Sequence, residues 1–174
     1  AALNEVKGYK DVGKAMDARA EKMSDEFFKD IFRMSAFSDS IVLSTKLNPI
    51  GLGLITVFSG IIAHRLLHQG LYTRGAITKG KMIHTLEVAV GAGLIKAYEL
   101  ERKAAIYPRI LLDECLLSDV FALEAQGKSP PLRRQDSDGL WHLHILHPEM
   151  IEMIRSTSTS EYESLDRPYM EIGR

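Results

Sequence analysis

Asp39 is the first residue whose surroundings suggest chemistry. It sits in the short polar run Ser38-Asp39-Ser40, between two β-like segments at residues 31–37 and 41–45. Short polar residues suit a tight turn, so the segment reads as a β-hairpin with a carboxylate at its tip. Such a carboxylate shapes the turn or meets a cation, and its companions along the chain decide which. His142 and His144 share one strand face and His147 follows, a spacing that resembles metal ligation. No Cys or Glu stands beside them to complete a site, so they are expected to be surface strand histidines. His64 and His68 are four apart, can pair along a helix, and are expected on its surface. Gly91-Ala92-Gly93 precedes a helix. A glycine turn there can cradle phosphate or pack closely on a strand. Arg133 and Arg134 lie in a polar loop and are expected to be solvated. Cys115, between Ile110-Leu111-Leu112 and Leu116-Leu117, is expected in the core.

The elements that position these residues follow from local signals. Residues 1–30 are rich in Ala, Lys, Glu and Met and read as helix, broken near Met23-Ser24-Asp25. After the hairpin, Asn48 caps and Pro49 opens a long helix that Gly70 ends. Residues 71–79 read as strand, with 80–86 as its hairpin partner. A helix runs from Leu94 to about Ala105, and Pro108 stops it. Arg109-Ile110-Leu111-Leu112 reads as a buried strand, and Asp113 caps a helix to about Ala125. Residues 126–139 read as loop, 140–146 as an antiparallel strand by alternation, and Pro148 opens a last helix. Interleaved helices and hairpins predict an α+β fold: an antiparallel-rich sheet covered by helices. One domain is expected over 1–155, with a Ser/Thr-rich tail at 156–174.

The bulk numbers bound the function. The chain has 174 residues, 45% apolar and 26% charged, with net charge −1. That suits one globular domain and gives no basic field for nucleic acid or an anionic membrane. The strands lack the clustered aromatics that a base-stacking RNA surface needs. Residues 50–67 are the one candidate membrane span, and Ser59, His64, Arg65 and the early glycines favour a buried amphipathic helix. A single cysteine excludes an internal disulfide framework and fits the cytoplasm.

Four runs together resemble one family. Phe37-Ser38-Asp39-Ser40-Ile41-Val42 is similar to the metal-binding hairpin of class III nucleotide cyclases. Thr73-Arg74-Gly75-Ala76-Ile77-Thr78-Lys79-Gly80-Lys81 resembles the strand that follows. Val90-Gly91-Ala92-Gly93-Leu94-Ile95-Lys96-Ala97-Tyr98-Glu99-Leu100-Glu101 resembles the Gly-rich turn and its helix. Residues 104–112, with Tyr107-Pro108-Arg109-Ile110, are similar to the next strand of the Pycsar pyrimidine cyclases of bacterial anti-phage defence.

The resemblance implies a class III, ferredoxin-like fold. It implies conversion of UTP to cyclic UMP and pyrophosphate, with CTP the close alternative substrate, in a head-to-tail homodimer with interfacial active sites. It implies Mg²⁺ or Mn²⁺ in a two-metal site, with Asp39 the second metal aspartate. A cation pair on carboxylates stabilises both attacking and leaving oxygens as the ribose 3′-hydroxyl attacks the α-phosphate in line. The first metal aspartate has no match, since Asp11-Val12-Gly13 lies too close and in a helical context. That strand is expected before Ala1. The family's Asn and Arg, four apart on the helix after the Gly turn, correspond to Ile95 and Glu99 here. Arg74, Lys81 and Arg102 are the candidates to supply the missing positive charge. Base choice in the family is set four residues before the hairpin aspartate, with Glu for guanine and Lys for adenine. Ser35 is neither, which agrees with a pyrimidine. Arg33 shares the face of Ser35 and can reach base or phosphate. Phe37 and Thr78 complete the substrate-binding candidates. The departures leave open a degenerate module that binds nucleotide without catalysis.

Overall fold

The computed structural model describes residues 31–85, 87–125 and 133–157. The helical reading of 1–30 and the tail from 158 lie outside the described residues. Strands β1 (Phe32–Phe37) and β2 (Ser40–Thr45) pair antiparallel from Phe32↔Thr45 to Phe37↔Ser40. Ser38 and Asp39 remain as a two-residue turn. Ser38 has φ 55, the positive value that a turn matched to strand twist requires. One face of this hairpin carries Phe32, Met34, Ile41 and Leu43, which pack against Phe58, Ile62 and Leu66 of the next helix. The other face carries Arg33, Ser35 and Ser44.

Helix α1 (Pro49–His68) starts and ends as its sequence predicts. The Asn48 side chain accepts from the Gly51 amide at 2.7 Å. At the other end Gly70 has φ 75. The amides of Gly70 and Leu71 bond back to Leu67 and Leu66, satisfying carbonyls that the helix leaves open. Gly51 lets the chain fold back, because a Cβ there would lie 2.0 Å from the Lys46 carbonyl oxygen. α1 is buried on several sides, not along a single stripe. Ile62 and Leu66 meet the hairpin, Leu52 and Ala63 join the main core, and Ile61 meets Met150. Length and composition would let α1 cross a membrane, but over half of its most apolar window, 56%, is buried inside the protein as in a core helix.

Beyond α1 come β3 (Gly75–Ile77), β4 (Ile83–His84), β5 (Ala89–Val90) and helix α2 (Ala92–Ala104). Then follow β6 (Ile110–Leu112), α3 (Glu114–Ala125), β7 (Arg133–Gln135), β8 (Trp141–Leu143) and α4 (Pro148–Thr157). β3, β6, β8 and β7 form a four-stranded sheet in that order. β3 and β6 are parallel, which needs the long connection through α2. The other pairings are antiparallel. All three residues of β6 are buried, as expected of a central strand covered on both faces. Ile77, Ile110, Leu112, Leu116 and Leu143 form the centre of the core with Leu52 and Ala63 of α1.

The architecture is α+β, with two corrections to the expected pairings. The described strands fall into three sheets. Residues 80–85 of the expected hairpin partner do not pair with the preceding strand; β4 pairs with β5 instead. The cause is the glycine turn. The Gly93 amide donates to the Lys81 carbonyl at 3.0 Å, which draws the chain away from β3. Within the expected loop at 126–139, Arg133–Gln135 forms an edge strand on β8.

Candidate functional site

The polar face of the β1–β2 hairpin holds the first group of candidate residues. Arg33 and Ser35 alternate onto it, Ser44 sits opposite Arg33, and Phe37 lies towards the tip, 43% exposed. Asp39 is exposed at the turn. His84 of β4 closes over this face. Its Nε2 lies 2.8 Å from Ser35 Oγ and its Nδ1 lies 2.7 Å from Ser44 Oγ. Burial pushes the imidazole below its usual range, and the nearby Arg33 charge pushes the same way. The ring is therefore neutral at pH 7, with one nitrogen donating and the other accepting.

A second group lies where β3 and β6 end and α3 begins. Thr78 Oγ1 donates to Asp113 Oδ2, and Lys96 Nζ lies 2.6 Å from the same oxygen. The Cys115 amide donates to Asp113 Oδ1 at 3.3 Å, so Asp113 caps α3. Burial raises the Asp113 carboxyl, but the bonds from Lys96, Thr78 and Cys115 outweigh it and hold it at about 2. Cys115, expected in the core, packs half-buried against it, with its Sγ facing Lys96 Nζ at 3.5 Å. Beside this group Lys79 pairs with Asp119 at 2.7 Å.

α2 runs antiparallel to β3 and separates the remaining candidates. Its N-terminus, at Gly93, packs on Gly80 and Lys81. Its C-terminus meets Arg74, which pairs with Glu101 at 2.8 Å and donates to the Ala105 carbonyl at 3.3 Å. Eight residues separate Gly93 from Glu101, roughly 12 Å along the helix axis. Arg74 thus lies at the opposite end of β3 from Thr78 and Lys81. Arg102 is exposed on the stripe of Ile95 and Glu99, one turn beyond Glu99. Lys81 is exposed beside the glycine turn. That turn serves close packing. A Cβ on Gly91 would meet the Lys81 carbonyl oxygen at 2.5 Å, and the Gly93 amide that a phosphate would need is already donated.

Comparison of the chain with family models, curated proteins and solved structures gives no match. Among the described residues no group of three or more His, Cys, Asp and Glu side chains could hold a metal ion. Asp39 offers one exposed ligand, and the described residues do not complete a two-cation site.

Several residues take places that their sequence context did not signal. Arg133 is not solvated. It lies 3.9 Å over the Phe121 ring and 4.8 Å over Trp141, and it pairs with Glu124 at 2.5 Å. His64 is buried, not on a helix surface, because α1 is enclosed on several sides. Its ring centroid lies 4.5 Å from that of His68. His142 faces the Leu143 carbonyl and Asp136, while the His144 and His147 rings meet edge to face. Arg109 is almost fully buried and binds Asp136 at 2.6 Å, Asp138 at 2.5 Å and the Ala104 carbonyl at 3.1 Å. His84 carried no local signal; a lone histidine between Ile83 and Thr85 gives no sign of serines 40 and 49 positions away.

Proposed function

We propose that the chain is a pyrimidine nucleotide cyclase of the class III kind, forming cyclic UMP and pyrophosphate from UTP. The observation that carries this reading is Ser35. Four residues before the hairpin-tip carboxylate stands a neutral hydroxyl, engaged by a neutral imidazole at 2.8 Å. A hydroxyl–imidazole pair reads a base by hydrogen bonds, whereas a charged Glu or Lys would favour a purine edge. CTP fits the same chemistry and remains the alternative substrate. Support also comes from the order of parts: a hairpin with Asp39 at its tip, a long helix, a strand, a glycine turn on that strand, then helix and strand. A ferredoxin-like cyclase arrangement belongs to this proposal.

In the reaction the ribose 3′-oxygen bonds to the α-phosphorus. The bond to the bridging oxygen of the β-phosphate breaks, the hydroxyl proton passes to solvent water, and pyrophosphate leaves with the bond's electron pair. Arg33 lies on the base-reading face, so it can bind base or phosphate. Arg102 and Lys81 are exposed cations of the α2 region and can offset charge on the phosphates. Arg74 is held by Glu101 and Ala105, so its part in this scheme is to fix the end of α2. Thr78 is held by Asp113 and orders the loop that leads to Lys81. A bound Mg²⁺ or Mn²⁺, with Asp39 as one ligand, would neutralise triphosphate charge. A head-to-tail homodimer and a role in anti-phage defence complete the proposal.

A second reading is a cyclase-like module that binds nucleotide without chemistry. Ile95 and Glu99 favour it, since an exposed apolar residue and a carboxylate paired with Lys103 occupy the catalytic stripe of α2. One experiment separates the two. The complete natural protein is incubated with ATP, GTP, CTP and UTP separately with Mn²⁺, and products are identified by mass spectrometry. Cyclic UMP or cyclic CMP alone supports the cyclase. Saturable UTP binding with no cyclic product supports the module.

A further inference from the structure

The β1–β2 hairpin and the β4–β5 ribbon belong to different sheets, and His84 joins them. Both its ring nitrogens are engaged by hydroxyls, Ser35 on one side and Ser44 on the other. A serine hydroxyl has one proton and two lone pairs. Its orientation is therefore set by whichever partner is constrained. When Nε2 carries a proton it donates to Ser35, and the Ser35 O–H turns outward as a donor. When Nε2 is bare it accepts the Ser35 proton, and Ser35 turns a lone pair outward. Position 4 of a pyrimidine distinguishes these two states. Uracil presents a carbonyl acceptor there and cytosine an amino donor.

We propose that His84 is a positioning residue that sets the hydrogen-bonding polarity of Ser35, and thereby the choice between uracil and cytosine nucleotides. The inference rests on the cyclase reading. The protonated ring donates from both nitrogens, so it leaves the Ser35 proton free to face outward and admits uracil, whereas a bare Nε2 takes that proton and disfavours it. Arg33 of β1 is the charged group facing the ring, Ser44 of β2 brings only a hydroxyl, and the ladder partner β5 carries only Ala89 and Val90. His84 is the group on this face that changes charge near neutral pH. The preference for UTP over CTP rises as pH falls below the ordinary histidine range.

The test is the ratio of kcat/KM for UTP and CTP, measured between pH 5 and 8 on the complete protein and on His84→Gln. An unpaired buried donor or acceptor changes binding by roughly tenfold, which sets the expected swing of the ratio. In the unaltered protein the ratio moves with pH. In His84→Gln, whose amide does not titrate, it is flat. Ser44→Ala removes the Nδ1 partner and serves if His84→Gln does not fold; it moves the change of ratio to lower pH, because the protonated ring loses an acceptor at Nδ1. A ratio independent of pH in the unaltered protein, or unchanged in its pH dependence in both variants, overturns the role of His84 and leaves the cyclase standing. No turnover of UTP or CTP by the unaltered protein overturns the cyclase reading, and this inference with it.

Discussion

Lys96 places its Nζ 2.6 Å from Asp113 Oδ2, tying the second turn of α2 to the cap of α3. The bond crosses β3 and β6, because Thr78 at the end of β3 donates to the same oxygen. Its strength depends on pH in a definite direction. Asp113 is held at about 2, below its ordinary 3.8. Its stabilisation is complete above the ordinary value and is lost as pH falls through about 2. The shift corresponds to about 2 kcal/mol, since the side chain is only 12% exposed. Acid titration followed by circular dichroism checks this. Asp113→Asn should be less stable at pH 7 and should lose less stability on acidification below pH 4. Lys96 is raised by the same contact, so its share persists through neutral pH and is lost only as pH rises past its ordinary range.

Arg109 should be among the costliest single substitutions. Its guanidinium is 4% exposed and reaches two aspartates and a carbonyl at once. Arg109→Ala is expected to lower unfolding free energy by about 3 kcal/mol in chemical denaturation. Arg109→Lys should recover little of this, because an ammonium cannot span the partners that the planar fork spans. Recovery to the unaltered stability by Lys would show that charge alone matters there.

Two glycines with positive φ should behave differently. Gly91 has φ 146, and an added Cβ would strike the Lys81 and Met82 backbone at 2.5 and 2.7 Å. Gly70 has φ 75 with open space around it. Gly70→Ala therefore pays only for the left-handed backbone, about 1 kcal/mol. Gly91→Ala must also move the backbone that leads into β4, and roughly 3 kcal/mol is expected. Thermal melts of the two variants rank them.

Asp39→Asn tests the cation assignment within the proposed function. Asp39 is exposed in a two-residue turn, and Asn suits such turns as well as Asp does. Stability should change by less than about 0.5 kcal/mol. Formation of cyclic nucleotide should fall by roughly a hundredfold or more, read by mass spectrometry under the same Mn²⁺ conditions. A folded Asp39→Asn with full turnover would remove Asp39 from the site.

Much of the fold was legible in the sequence where signals are local. The hairpin announced itself by alternation around Ser38-Asp39, α1 by Asn48-Pro49 and Gly70, and α3 by Asp113. Long-range partners left no such trace. β7 reads Arg-Arg-Gln, with no apolar alternation, and its stability comes from stacking Arg133 on Phe121 and Trp141. β4 and β5 are two residues each, too short for any period. The candidate site divides the same way. Arg33 and Ser35 share one face by simple alternation. Arg74 looked equivalent to Lys81 along one strand, but α2 runs the length of that strand and takes the two to opposite ends.

The enclosure of α1 has a mechanical consequence. The hairpin bearing Asp39 and the sheet bearing Thr78 share no backbone ladder, and both rest on this one helix. Their alignment is thus kept by side-chain shape along a common axle. Within the proposed function, trimming Leu66 or Ile62 would tilt the hairpin against the sheet and weaken nucleotide binding, though both residues pack on the hairpin's apolar face.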